Sequence, residues 1–390
     1  MNHTTAIKLL KGIETELADI HRAKHYAQWR SEAVGRLDKA LSETTPFKDY
    51  TDTWIFTGDG GGTIAKGRFA VWAIDQLVAK VSPEDILVGF DAELQQNRST
   101  YAEISPVLGV QIDGECQLSE GMALVPAADA PLHWRGQFMG SRQPFPIDIS
   151  SDTCFLCQSF EVTPAFELSN KNSGSAKGTS ETRPDSAARN AIRLQVRLAC
   201  LLASVGGVEL PHSLFDPDRE TLFVGGLGNR ASRPVSAHPL VSFPVKGAEI
   251  KAIFDQLASF QESESLGRAI DRLGRSRMAT NPVDRALDLG IAAEIALMHD
   301  HGTSNTEIAH KIGGRAAWLA GKDAVERATI FAEMKKLYQA RSQAVHAGTL
   351  SQKSKVDLDA GDRLVTNTLL AILDGGSFPD WSTLVMGGDR

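Results

Sequence analysis

Apolar positions recur at three-and-four spacing along most of this chain, and that period breaks down over a central stretch. Between 5 and 43, Leu9, Leu10, Ile13, Leu17 and Ile20 keep the helical spacing, and Trp29, Val34, Leu37 and Leu41 continue it. Acidic and basic residues alternate on the other face. The pattern fits a hairpin of two helices or one long bent helix, stopping at Thr45-Pro46. A helix carrying Phe69, Trp72, Ala73, Leu77 and Val78 follows, and another is predicted over 83–95. From 104 the grain changes. Segments 106–112, 115–118 and 122–126 are short apolar runs separated by Gly and Asp, which predicts strands joined by turns. Further strands are expected around Phe155, Phe160 and Val162, around 221–224 and around 240–243. A helix with Ile192, Val196, Cys200 and Leu201 on one side is predicted from Asp185-Ser186 to about residue 204.

The helical period returns towards the C-terminus. One helix is predicted over 248–273, with Ile253, Phe254, Leu257 and Phe260 apolar. Asn281-Pro282 breaks the chain and opens a helix to Met298, because proline suits the first helical position. Thr303-Ser304-Asn305 offers a cap for a helix carrying Ile308, Ile312, Ala316 and Leu319. The next helix runs from Asp323 to about 346 through Ile330, Met334, Leu337 and Tyr338, and Gly348 supplies its stop. A last one, near 361–374, carries Leu364, Val365, Leu369, Leu370 and Leu373. Four or five helices with short connections predict a bundle. The expected fold class is therefore α+β and multidomain: a helical N-terminal region over 1–103, a mixed α/β domain over 104–245 containing a polar loop at 169–186, and an all-α bundle over 246–390.

Composition narrows the class. A chain of 390 residues has room for two or three cores, and 42% hydrophobic with 23% charged residues is typical of soluble globular proteins. The formal charge of −7 argues against a protein wrapped in nucleic acid, while permitting a local basic patch. No run approaches the roughly 20 apolar residues that span a bilayer, so no membrane association is expected. With no apolar signal core at the N-terminus and four cysteines, too few for a disulfide scaffold, the expected location is the reducing cytoplasm.

Several motifs carry residue types capable of chemistry. His21 and His25 stand four apart but lack a third ligand, so a solvated polar face is expected. Gly58 to Thr63 with Lys66 does not keep the spacing of a phosphate-binding loop and reads as a flexible turn. Cys154 and Cys157 form a single CxxC among apolar neighbours; the readings are buried thiols, a metal site with distant partners, or a redox pair. Arg189, Arg193 and Arg197 form a stripe that contacts phosphate or is simply solvated. Arg268, Arg272 and Arg275 share one helix face, with Arg277 just beyond. No metal or cofactor is called for.

The most informative stretch is 337–348, where Arg341 and His346 lie five positions apart on one helix. Five residues turn His346 about 140° from Arg341 and carry it about 7.5 Å along the axis. The two do not stack on one face of a monomer, but two copies of the helix approaching one another place two arginines and two histidines around a shared cleft. Guanidinium groups gathered there form an anion pocket suited to phosphate, and a histidine can give or take a proton near neutrality.

Residues 341–348, an Arg-Ser-x-x-Val-His-x-Gly sequence preceded by Leu337-Tyr338, resemble the motif of the Apea-like group of the HEPN superfamily. Segment 285–294, closing on Glu294, segment 311–321, containing Arg315, and segment 327–331 resemble further parts of that domain in the same order. The resemblance covers about 265–375, and the turn-rich 107–126 resembles the region upstream of this domain in related proteins. It implies a HEPN-like helical bundle and metal-independent cleavage of single-stranded RNA at a homodimer interface. The ribose 2′-OH attacks the adjacent phosphate and leaves a 2′,3′-cyclic phosphate and a 5′-OH. By carry-over, Arg341 holds the scissile phosphate, His346 moves the proton and Glu294 orients or neutralises one of them; Ser342, Tyr338, Arg315 and Arg275 are expected to support the site or bind RNA. Members often act in antiphage defence or toxin–antitoxin systems, so a regulatory trigger or antitoxin partner is expected. Residues 1–245 are expected to sense that trigger or restrain the bundle. Best-known nuclease members carry Asn, Asp or His after the arginine; here it is Ser342, common in the Apea-like group, able to hydrogen-bond His346 but supplying no further acid or base. The alternative is a non-catalytic nucleic-acid- or nucleotide-binding module, or a dimerisation scaffold.

Overall fold

The computed structural model describes residues 4–20, 26–57, 60–139, 149–168, 186–217, 222–223, 228–231, 240–299, 307–350 and 356–387. The fold is mixed α+β, and the described residues divide into two compact units of three stretches each. Unit 1 comprises 1–104, 158–186 and 213–230; unit 2 comprises 105–157, 187–212 and 231–390. The expected N-terminal and C-terminal segments fall whole into units 1 and 2 respectively, and the expected middle segment is shared between them.

In unit 1 the N-terminal period is a hairpin's worth of two helices, α1 (Thr4–Ile20) and α2 (Tyr26–Leu41). Helices α3 (Arg68–Val78) and α4 (Pro83–Gln95) follow; Ser82 caps α4, its Oγ accepting from the Asp85 N–H ahead of Pro83. Leu10, Trp29, Leu37, Phe69, Ile74 and Phe90 close one core with Phe166 and Phe223, whose rings stack with centroids 4.3 Å apart. Strand β1 (Thr53–Thr57) pairs antiparallel with β2 (Gly60–Thr63) and with β8 (Phe166–Leu168). The glycine-rich turn is thus partly a strand, with Phe56 opposite Gly61 and Ile55 opposite Gly62. Also in unit 1, Tyr101–Ile104 of β3 (Ser99–Val107) pair antiparallel with Leu214–Pro217 of β9 (His212–Pro217), Ile104 opposite Leu214.

In unit 2 the short apolar runs become β4 (Val110–Ile112), β5 (Cys116–Ser119) and β6 (Met122–Pro126), with β5 and β6 antiparallel. Strand β11 (Phe243–Val245), which follows the short β10 (Gly228–Ala231) in the chain, runs parallel to β4. Strand β7 (Cys154–Val162) carries the CxxC, and because side chains alternate along a strand, residues three apart face opposite ways. All four cysteines are free thiols. Burial pushes the Cys154 thiol well up and the Cys157 thiol up to about 12, which disfavours the free thiolate.

Helix α5 (Leu132–Met139) lies in unit 2, and α6 (Ser186–Ala203) belongs to it over nearly its whole length. Its arginines correct the expected stripe, since Arg189, Arg193 and Arg197 are all buried. The chain after α6 turns back along it and offers carbonyls: Arg197 Nε donates to Val208 O at 2.9 Å and Arg193 Nη2 to Leu210 O at 3.3 Å, while Arg197 Nη1 meets Asp271 at 2.7 Å. His212, buried and with Nε2 lacking a hydrogen-bond partner among the described residues, has its ring 5.2 Å from Phe138. Burial, then the Arg193 charge, hold its pKa below the ordinary 6.5. The unfolded chain therefore takes up a proton there that the native protein refuses. This contribution to stability is complete above pH 6.5 and is lost as pH falls below it. Wild type is expected to melt at progressively lower temperature from pH 7 towards about 5.5 and His212→Gln to show a flatter profile; parallel profiles would contradict the assignment.

The C-terminal helices of unit 2 are α7 (Gly247–Ser259), α8 (Ser263–Met278), α9 (Pro282–Leu297), α10 (Ile308–Ala320), α11 (Ala324–Ala347), α12 (Leu358–Asp374) and the short α13 (Trp381–Val385). The single helix expected over 248–273 is two. Phe260 is extended (φ −70°, ψ 126°) and its buried ring packs edge-on against Phe378 at 5.5 Å, a tertiary anchor that overrides helical continuation. Asn281, Asp323 and Asp357 cap α9, α11 and α12 by accepting from backbone N–H groups of the first turn. Helix α10 runs unbroken through Gly313 and Gly314. The His21 and His25 pair, expected on a solvated face, the cap at Thr303-Ser304-Asn305 and loop residues 169–185 lie outside the described residues.

Candidate functional site

Five of the seven expected site residues are carried by two helices that lie against each other: Glu294 by α9, and Tyr338, Arg341, Ser342 and His346 by α11. Helix α11 is set by Asp323, whose carboxylate accepts from the N–H groups of Val325 and Glu326, and stops at Gly348, which takes the left-handed conformation (φ 62°) with its N–H on Ala344 O. Met334, Leu337, Ala340 and Ala344 form its buried side. Arg341 and Tyr338 flank that side at the rim, half-buried.

Arg341 Nη2 lies 3.0 Å from Glu294 Oε2, an ion pair whose side chains are 24% and 33% exposed. That exposure is enough for water to screen the pair. The contact is close but not aligned as a hydrogen bond. Glu294 Oε2 and Arg341 Nε are buried atoms without a hydrogen-bond partner among the described residues. The guanidinium carbon stands 5.6 Å from the Tyr338 ring centroid, within cation–π range. Burial, then the Glu294 charge, raise the Tyr338 phenol pKa, and Arg341 pulls it part of the way back. Both halves of this electrostatic balance act on one side chain.

His346 is exposed on the last turn of α11, and no contact joins it to Arg341 among the described residues. Ser342 is half-buried and makes no hydrogen bond to the His346 ring among those residues, so that expected link is not formed. Two further expected residues sit elsewhere. Arg315 Nη1 donates to Leu297 O at 2.5 Å, capping the end of α9, and its guanidinium lies 5.0 Å from the Trp381 ring. Arg275 pairs with Asp271 on its own helix at 2.9 Å. Arg268 and Arg272, expected on the same face, are likewise paired, with Glu264 at 3.9 Å and Asp288 at 2.8 Å.

Sequence reasoning passed over two residues. Gly290 lies beneath the Arg341 stem on α9, and Arg277 is buried in a polar hub. The only signal for the first was a glycine inside a helical period; for the second there was none, since Arg277 looked like one more basic residue. A groove of about 550 Å³ lined by Ile330, Glu333, Arg363 and Asn367 runs between α11 and α12 but includes neither Arg341 nor His346. No family model, curated protein or solved structure matches this chain.

Proposed function

We propose that this protein is a metal-independent endoribonuclease acting on single-stranded RNA, with Arg341 and His346 from two copies of the chain sharing one cleft. The observation that carries the reading is the state of Arg341: held by Glu294 and Tyr338 at a partly exposed rim, where its guanidinium is both oriented and in reach of solvent. An arginine prepared in this way suits a phosphate whose negative charge grows as the 2′-OH attacks. His346, exposed on the same helix, moves the proton. A second copy completes a site that one chain leaves open, and the resemblance of 265–375 to the Apea-like HEPN domain supports the same assignment. Antiphage or toxin-like action, held in check by a regulatory trigger or antitoxin, is the setting in which such an activity fits. A non-catalytic nucleic-acid-binding or scaffolding role is the second reading, favoured by one fact: Glu294 already neutralises Arg341.

The test is incubation of the full chain with single-stranded RNA in EDTA, followed by analysis of the product ends. Wild type is expected to leave 2′,3′-cyclic phosphate and 5′-OH ends, with His346→Ala lowering the rate by about 10²–10⁴-fold while folding unchanged. Binding without cleavage supports the second reading, and cleavage that survives in His346→Ala removes this site from consideration.

A further inference from the structure

Gly290 lies on α9 one turn before Glu294. A Cβ added there collides with Cβ and Cγ of Arg341, and Cδ of the same residue is next at 3.5 Å. The three nearest atoms thus belong to one side chain. At Gly313 and Gly321, by contrast, the nearest atoms include backbone of Phe331, Ala317 and Arg327, as expected where glycine simply lets main chains approach. Glycine inside a helix costs about 0.5–1 kcal/mol relative to alanine, so its presence at 290 calls for a local reason. The colliding atoms are the root of the arginine stem, which cannot swing aside as a flexible tip can.

We propose that Gly290 is a positioning residue for Arg341, leaving open the track along which the arginine stem crosses α9 to bring its guanidinium to Glu294 and the Tyr338 ring. The proposal rests on the nuclease reading for its catalytic consequence only. A methyl group at 290 pushes the stem off that track, and the guanidinium leaves both contacts together. The charge remains in the neighbourhood and still attracts a polyanion, so loss falls on turnover rather than on affinity. Misplacement of about 1 Å costs up to about 10²-fold in rate.

The experiment compares Gly290→Ala with Gly314→Ala in the full chain, position 314 being a helical glycine with open space around it. One readout is the ultraviolet titration of Tyr338, isolated by subtracting Tyr338→Phe; the other is kcat and KM on a single-stranded RNA oligomer. Because Arg341 lowers the Tyr338 pKa, displacing it is expected to move the phenol titration to higher pH in Gly290→Ala. The same variant is expected to lose about 10²-fold in kcat with KM little changed, and Gly314→Ala to match wild type in both. Wild-type values in Gly290→Ala for either readout overturn the proposal. Should wild type not cut RNA, the nuclease reading fails and the Tyr338 titration alone decides the role of Gly290. Should Gly290→Ala not fold, Gly290→Ala/Arg341→Gly vacates the colliding atoms; recovery of folding supports the proposal, and continued failure overturns it.

Discussion

Arg341→Ala is expected to reduce RNA cleavage by about 10³-fold, the loss of about 4 kcal/mol of transition-state stabilisation that one well-placed donor supplies to a developing oxyanion. The guanidinium is held at this rim by both a carboxylate and an aromatic face. Folding is expected to change little, because the Glu294 pair is partly solvated and pairs of that kind contribute about 0–1 kcal/mol. Arg341→Lys separates charge from shape. It keeps the cation but loses the planar fork and the contact across Tyr338, and is expected to remain at least about tenfold impaired. Rates and melting temperatures measured side by side decide the matter: full activity in Arg341→Ala, or equal loss of activity and fold, removes Arg341 from catalysis.

A second large effect is expected at Arg277, where the consequence is for folding. Its side chain is 3% exposed and meets both oxygens of Asp362, itself 9% exposed, with Nη2 also donating to Thr366 Oγ1 at 2.8 Å. Nη1 donates to the carbonyls of Leu201 at 2.5 Å and Ser204 at 2.7 Å, with Gly206 O at 3.4 Å. One guanidinium thus ties the end of α8 to α12 and caps the C-terminal end of α6. Arg277→Ala strands a buried carboxylate and two or three carbonyls at once, and is expected to cost about 3–5 kcal/mol. In a unit of this size each kcal/mol lowers the melting temperature by about 2–4 °C. Replacing both charges, as Arg277→Met/Asp362→Leu, removes the lone carboxylate but leaves the carbonyls unmet, so only part of the loss should return. Thermal melts of the single and double variants check this; a loss below about 1 kcal/mol for Arg277→Ala would show the hub to be dispensable.

Elements defined by local spacing were readable in the sequence. The periods of α9, α11 and α12, the breaker Asn281-Pro282, the cap Asp323 and the stop Gly348 all act within a turn or two of themselves. Features that depend on distant chain were hidden. Phe260 ends α7 because Phe378 receives its ring, and no proline or glycine marks the break. The Arg189–Arg193–Arg197 stripe looks solvated until 208–210 lies along it. Helix α13 is five residues long, too short for a period to show; Trp381 anchors it, with Nε1 donating to His299 Nδ1 at 3.3 Å. At the candidate site, Arg341 with Glu294 was foreseeable from ordered similarity along 265–375, whereas Arg315 and Arg275 were expected in support and are engaged elsewhere. A list of basic residues does not say which cations are already spent on carbonyls and carboxylates.

The membership of α6 in unit 2 bears on how this protein can be divided or inherited. Val196, Leu198, Cys200, Leu201 and Leu202 share a core with residues from α7 to α13, and Arg277 holds the carbonyls at the end of α6. A fragment starting near 246 would leave that core open along one side and its polar hub half empty. The C-terminal helices are therefore no transferable cassette. A gene fusion or a recombination breakpoint between 186 and 246 severs one folding unit rather than separating two, so any chain that carries this bundle intact must bring 187–212 with it.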